Sequence, residues 1–357
     1  MTDAGSTCPE CAQPVAGEDA FCENCGAQLM PMATAAPTTA PKAPPTAVTQ
    51  PAATVVAAGS ATCSECGGAV ADDGFCSVCG KKALSARDHW QETPADWVGG
   101  VCDKGIVHAR NEDAMALAAL PDRSLAVLVV CDGVTSAPDS DRAALASALA
   151  ACATLTGSPL PTGAGIASTV SHWSAAITRA CLDGNAAAVA VARSLGNPKE
   201  PPSCTFVAAV LNHDVVTLGW AGDSRAYWLP DEGEAVQLML DHSLGTELIQ
   251  GGLTPAEAEA DPTFHTITRW LGADSVDSTP ELASMQLHEP GWLLVCSDGL
   301  WNYASPAAAL QSLVREQTAA GSTTPVEVAD ALVRWANEQG GHDNITAALA
   351  RYEPSLR

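Results

Sequence analysis

Positive charge is scarce in this chain. Its 357 residues carry 17 lysines and arginines against 41 aspartates and glutamates, a formal net charge of -24 at pH 7. Binding a nucleic-acid backbone needs clustered Lys and Arg, and no such cluster occurs, so nucleic acid is not an expected partner. The same shortage argues against docking on an anionic membrane surface. Long hydrophobic runs are also missing. The most apolar stretches, SLAVLVVCDG (124–133) and AALASALAACATL (143–155), fall short of the roughly 20 residues that span a bilayer. The opening MTDAGSTCPECAQP has no basic segment followed by an apolar core. A secretory signal is therefore not expected, and the cytoplasm is the expected compartment. A disulfide framework does not fit either. Of 14 cysteines, eight form four Cys-x-x-Cys pairs before residue 80 and six are scattered singly, a usage that favours metal binding under reducing conditions.

Those pairs form two matched sets. Cys8, Cys11, Cys22 and Cys25 make the first, and Cys63, Cys66, Cys76 and Cys79 the second. In each, two thiolate pairs flank a short hairpin, a Phe-Cys step opens the second pair and glycine follows the last cysteine. Tetrahedral Zn²⁺ suits such spacing, and four cysteine ligands leave no open position for catalysis. A module of this size has almost no core, so the metal must supply most of its folding free energy. The sequence thus reads as zinc ribbons at 6–30 and 62–84, each with a structural Zn²⁺, resembling the short ribbons on many bacterial regulatory proteins. The first ribbon contains no lysine or arginine and the second has only Lys81 and Lys82 at its exit, so protein docking or a structural role is expected of them. Residues 31–61 between them are rich in Ala, Pro and Thr and read as a flexible, disordered linker.

From residue 90 to 354 the pattern changes to apolar segments separated by turns. Strand-like runs are LAVLVVCD (125–132), CTFVAAVL (204–211), VVTLGWAGD (215–223), RAYWLP (225–230), WLLVCSD (292–298) and NITAALARY (344–352). Helices are expected over roughly 141–155, 165–195, 306–319 and 325–339, the last with Pro325 inside its start and Gly340-Gly341 past its end. Several strands arrive in adjacent pairs, which favours antiparallel sheets with helices outside over a doubly wound parallel sheet. Acidic residues stand at the strand ends: Asp132, Asp223, Asp298 and Asp343. A plain Asp-Gly turn explains any one of them. It does not explain why Asp132 and Asp298 share an apolar run, a cysteine just before and a glycine just after. Buried strand-end carboxylates need a counter-charge, and a metal cluster would provide it.

The segments GIVHARNEDA, VVCDG, GWAGDSRAYWL, LDHSLG, ITRWLG, LLVCSDGLW and GGHDNITAAL resemble, in order, the motifs of the PPM (PP2C-type) Ser/Thr protein phosphatases. The resemblance covers about residues 97–352. It implies an α+β fold, a four-layer α-β-β-α sandwich of two antiparallel sheets, with two Mn²⁺ or Mg²⁺ ions at one end. It further implies Asp132 as the bridging carboxylate and Gly133 as a carbonyl ligand. Asp298 and Asp343 would complete the first metal, and Glu112 would reach the second. Asp113 would orient bound water and Asn344 brace the Asp343 loop, while Asp223 and Arg225 would be mainly structural. Ser297 and Thr346 read as local hydrogen-bond partners rather than nucleophiles. The implied reaction is hydrolysis of phosphoserine and phosphothreonine on proteins by a metal-bridged hydroxide. The expected partners are Ser/Thr-phosphorylated proteins, including a bacterial eukaryotic-like kinase. An alternative of another class is a catalytically weak phosphatase-fold adaptor that binds a protein through its ribbons.

The chain departs from the family pattern in four places. His108 stands where the family has a phosphate-gripping arginine, with Arg110 two residues on; on a strand both would share a face, so either or both could reach phosphate. Val134 replaces a histidine found in animal members. A third cation would have to use Glu200, the acid nearest to the expected position. TSAPDSD (135–141) replaces a Gly-Gly at the rim.

Overall fold

Leu125–Cys131 is apolar at every position because both of its faces are covered. Ala126, Leu128 and Val130 face a core between two sheets, while Leu125, Val127, Val129 and Cys131 face a core under helices. The period of two runs through the strand, but with two apolar partners it leaves no polar trace in the sequence.

This computed structural model describes residues 6–7, 14–15 and 62–354, apart from 64, 65, 72, 73, 82, 84, 135, 136, 163 and 164. The chain divides into two compact units, Met1–Ala47 and Val48–Arg357. In the first, β1 (Ser6–Thr7) pairs antiparallel with β2 (Pro14–Val15). The cysteines of the first ribbon and the 31–61 linker lie outside the described residues.

The second unit continues with β3 (His89–Ala95), β4 (Val98–Asp103), β5 (Ala114–Ala119) and β6 (Leu125–Cys131), then helices α1 (Ser140–Gly157) and α2 (Ile166–Ser194). Next come β7 (Ser203–Cys204), β8 (Phe206–Asn212), β9 (Val215–Ala221), β10 (Arg225–Pro230), β11 (Val236–Gln237), α3 (Leu244–Gln250) and α4 (Pro255–Glu259). The chain closes with β12 (Leu271–Gly272), β13 (Glu281–Gln286), β14 (Gly291–Cys296), α5 (Asp298–Trp301), α6 (Ala307–Ala319), α7 (Pro325–Glu338) and β15 (Ile345–Tyr352).

Two large antiparallel sheets result, ordered β11-β10-β14-β15-β4-β3 and β13-β9-β8-β6-β5, with β7 and β12 forming a small separate pair. Leu128, Val130, Leu218, Trp228, Leu293 and Ala348 fill the space between them. On the outer face of the second sheet, Val127, Val129 and Phe206 pack with Leu155, Trp173 and Ile177 from α1 and α2. On the outer face of the first, Tyr227, Leu294 and Ala347 pack with Leu313 of α6 and Leu332 of α7. The four-layer order expected from the motifs is observed. Among the described residues, no helix is long and apolar enough to cross a membrane.

Local signals explain the helix limits. Thr324 and Glu327 form a reciprocal capping box at the start of α7, with Pro325 in the first turn. The α1–α2 pair is built from small residues: Ala144, Ala148 and Ala151 face a neighbour carrying Ala180 and Gly184, and Ser147 Oγ donates to the Gly184 carbonyl at 3.0 Å. The expected strands and helices all appear, but β3, β4, β5 and β13 were not foreseen. Residues 104–113 form a loop rather than a strand, so the argument that positions 108 and 110 share a strand face does not hold.

Register decides where the acids go. Ala114 pairs with Cys131, Arg225 with Cys296, and Cys296 with Ala347. Asp113, Asp132, Asp223, Asp298 and Asp343 lie just beyond these rungs, all at one end of the sandwich.

At the edge of the first sheet, His89 Nδ1 lies 2.7 Å from Asp103 Oδ2. That bond raises the His89 pKa from 6.5 although burial opposes it. Burial alone would raise Asp103, but hydrogen bonds from His89, Asn337 and Gly105 bring it below 3.8. The histidine's contribution is complete below pH 6.5 and fades as pH rises through its raised folded value; the aspartate's is present above 3.8 and fades as pH falls through its lowered one. With His89 35% exposed, the pair should be worth at most about 1 kcal/mol. Thermal unfolding should show part of the stability loss above about pH 7 vanish in His89→Gln; identical profiles would refute the coupling.

Candidate metal centre and active site

The acidic end draws on both sheets. Glu112 and Asp113 precede β5, Asp132 and Gly133 follow β6, Asp298 opens α5 after β14, and Asp343 precedes β15. Close approach of their loops needs glycine at two points. A side chain at Gly133 would press on the Glu112 backbone, and one at Gly299 would run into the Asn344 carbonyl.

Asn344 ties the loops together. Its Oδ1 accepts from the Glu112 amide at 2.7 Å, and its Nδ2 donates to the carbonyls of Lys104 at 2.7 Å and Arg110 at 3.0 Å. Its own amide donates to Asp343 Oδ1 at 2.7 Å. The residue thus braces the whole 104–112 loop as well as the Asp343 turn. Ser297 Oγ and Thr346 Oγ1 both donate to Asp113 Oδ2, at 2.6 and 2.7 Å, which agrees with reading them as local partners. Asp113 Oδ1 is buried with no hydrogen-bond partner. Asp132 is fixed through its backbone: its amide donates to Thr205 Oγ1 at 2.9 Å, and its carbonyl accepts from the Thr205 amide at 2.8 Å. Thr205, which sequence reasoning passed over, therefore sets the position of Asp132. Asn302 Nδ2 donates to Asp298 Oδ2 at 3.0 Å.

Burial and mutual repulsion raise these carboxyls. Asp132 goes well above 3.8, through burial first and then Asp113, Asp298 and Asp343. Burial, then Asp343, pushes Asp298 up to about 6, and burial pushes Asp113 up to about 7. Asp223 is raised likewise by burial and by Asp298. Buried and half-buried oxygen donors that repel one another, with Asp113 Oδ1 unsatisfied, fit a hard divalent cation.

His108 Nε2 stands 3.3 Å from Asp343 Oδ1. Arg110 uses Nε and Nη2, at 2.9 and 2.7 Å, on Glu112 Oε1, while its side chain stays half exposed. Glu200 is exposed in the loop before β7. Arg225 forms a buried pair with Asp241, with Nη2 to Oδ2 at 2.6 Å, and its guanidinium lies 3.5 Å from the Trp301 ring. That network accounts for its structural reading.

A second, softer centre lies in the 62–84 stretch. The sulfurs of Cys63, Cys66, Cys76 and Cys79 stand within 4.8 Å of one another, the one such group among the described residues. Cys63 to Cys79 is 3.6 Å and Cys66 to Cys76 is 3.5 Å. A tetrahedron with Zn–S of about 2.3 Å has edges of about 3.8 Å, close to these spacings. Backbone N–H groups of Cys79 and Val78 lower the Cys76 pKa to about 6 while its bonded partner Cys66 is pushed up to about 12, so within that pair the thiolate sits on Cys76. The donor set fits zinc.

A family model for protein phosphatase 2C matches residues 106–349. Protein phosphatase PhpP of Streptococcus pneumoniae is 37% identical over 147 residues, covering 40% of this chain and 55% of that protein. Serine/threonine protein phosphatase PstP of Mycobacterium tuberculosis is 29% identical over 249 residues, 70% of this chain and 43% of its own. The chain thus spans about half the length of these curated relatives. Among solved structures, the catalytic domain of serine threonine protein phosphatase PstP in complex with 2 manganese ions matches with a TM-score of 0.54 at 26% identity, over 72% of this chain and 98% of that one.

Because the Asn344 side chain satisfies three backbone groups of the 104–113 loop, Asn344→Ala should cost about 3 kcal/mol in urea unfolding. A change below about 0.5 kcal/mol would refute its bracing role.

Proposed function

Because the chain belongs to the protein phosphatase 2C family, we propose that it hydrolyses phosphoserine and phosphothreonine on proteins, using two Mn²⁺ or Mg²⁺ ions. The convergence of Asp132, Asp298 and Asp343 at one end of the sandwich, beside Glu112 and Asp113, carries this reading. Asp132, the Gly133 carbonyl, Asp298, Asp343 and Glu112 would hold the ions. When bound, they supply charge to neutralise a phosphate dianion and make water acidic enough to attack phosphorus at neutral pH.

The chain's own residues divide the remaining work. Asp113 orients water through Oδ1, its other oxygen being engaged by Ser297 and Thr346. Arg110 grips the substrate phosphate, aimed by Glu112 and half exposed to the approaching ester. His108 positions Asp343 instead of gripping phosphate. The substrates are Ser/Thr-phosphorylated proteins, the kinases that place those phosphates among them. The ribbons hold structural zinc and serve docking. Glu200, exposed and remote in character from the buried acids, carries no third-cation proposal.

Phosphate release from a phosphothreonine peptide and from p-nitrophenyl phosphate should require Mn²⁺ or Mg²⁺. Loss of an outer-shell partner of a metal costs about 10–100-fold, so Asp298→Asn should cost more than about 100-fold. Arg110→Ala should raise KM about ten-fold with kcat little changed, while His108→Ala should raise the Mn²⁺ requirement. Inactivity at saturating Mn²⁺ would favour the adaptor reading instead. Metal analysis of the full chain should find about two zinc ions, one of them lost in Cys76→Ser.

A further inference from the structure

We propose that Arg87 is a positioning residue for the acidic pair, and that through it the ribbon at 62–84 tunes how the acidic end takes up its cations. This rests on the phosphatase reading above. Arg87 lies outside the stretch shared with the family, residues 106–349. Even so, its Nη2 donates to the Asp113 carbonyl at 2.8 Å, and its own carbonyl accepts from Asn111 Nδ2 at 3.1 Å. Asn111 Oδ1 in turn accepts the Asp113 amide at 3.2 Å. The peptide groups on both sides of Asp113 are therefore clamped by one arginine and one asparagine. Asp113 Oδ1, buried without a partner, depends on that backbone for its direction. The guanidinium is itself held, 4.4 Å from the Trp90 ring.

On its other side Arg87 follows directly on the ribbon. Cys76 donates its amide to the Lys81 carbonyl at 2.7 Å, and Ala83 donates to Gly74 at 2.7 Å, so ribbon hydrogen bonding runs to Ala83. Ser85 already belongs to the next turn: its amide donates to Asp88 Oδ2 at 2.6 Å, and Asp88 donates back to the Ser85 carbonyl at 2.9 Å. Lys104 then donates to the Asp88 carbonyl at 2.7 Å, tying the turn to the end of β4. Ala83 and Ser85, with a single residue between them in sequence, thus belong to the ribbon and to the turn that presents Arg87. A module of this size folds with its metal, so zinc loss releases one end of the turn that presents Arg87.

The test uses the full-length chain as wild type, Arg87→Ala, Arg87→Lys, Cys76→Ser and the Arg87→Ala/Cys76→Ser double variant. Mn²⁺ binding is measured by calorimetry alongside phosphate release. Arg87→Ala should bind Mn²⁺ roughly ten-fold more weakly, and Arg87→Lys should recover part of the loss. Cys76→Ser should shift binding in the same direction, and the double variant should be no worse than Arg87→Ala alone, the mark of a shared route. Linkage requires the reverse effect: Mn²⁺ should slow zinc transfer to a chromogenic chelator in the wild type and not in Arg87→Ala. Unchanged Mn²⁺ binding in Arg87→Ala, or effects of the two substitutions that simply add, would overturn the proposal. If Arg87→Ala does not fold, Arg87→Lys decides, with wild-type affinity and wild-type zinc protection counting against it. Wild-type protein that takes up no Mn²⁺ overturns the phosphatase reading itself, a result distinct from wild-type uptake with indifferent Arg87 variants.

Discussion

Carboxylates gathered at one end of a protein repel one another, and the acidic end of this sandwich is held against that repulsion largely by neutral hydrogen-bonding side chains. Asn344, Ser297, Thr346, Thr205 and Asn302 carry no charge, yet each fixes an acid or the backbone beside it. A neutral scaffold leaves the negative charge uncompensated, and burial then raises Asp113, Asp132 and Asp298 together. Arginines at those places would have satisfied the acids and closed the site to a cation. Arg110 does engage Glu112, but from the exposed side.

Much of this was legible because charge at the end of an apolar run is costly without a purpose. Asp132 and Asp298 announced themselves that way. The runs of β6 and β14 were long and β-branched or leucine-rich enough to read as strands. β5, AMALAA, was not: its small side chains are all buried, and alanine favours helix as an isolated preference. β4 carries paired glycines, and β13 is a polar edge strand, so neither shows an apolar period. The loop at 104–113 carries no sign of its shape in the sequence because that shape is imposed from 232 residues away, by Asn344 bonding the Glu112 amide. Thr205 and Asn111 gave no local signal for the same reason. Their work is done on backbone groups that sequence patterning does not mark.

The chain also separates two kinds of donor atom. The four sulfurs around Cys76 are soft donors, drawn within 4.8 Å of one another, while the acidic end offers only oxygen. Softness and geometry, not raw affinity, distinguish zinc from manganese or magnesium at such sites. A net charge of -24 concentrates cations around the molecule without sorting them. The sorting is left to the donor atoms.

Burial on both faces of Leu125–Cys131 has a further consequence for how such a chain can diversify. Every position in that strand is committed to one of two cores, so almost any replacement there leaves a cavity or a clash. Asp132 follows the last residue of the strand, and its position is inherited from a segment with no neutral sites. Replacement is tolerated more readily where side chains are exposed, as in the stretch around α3 and α4.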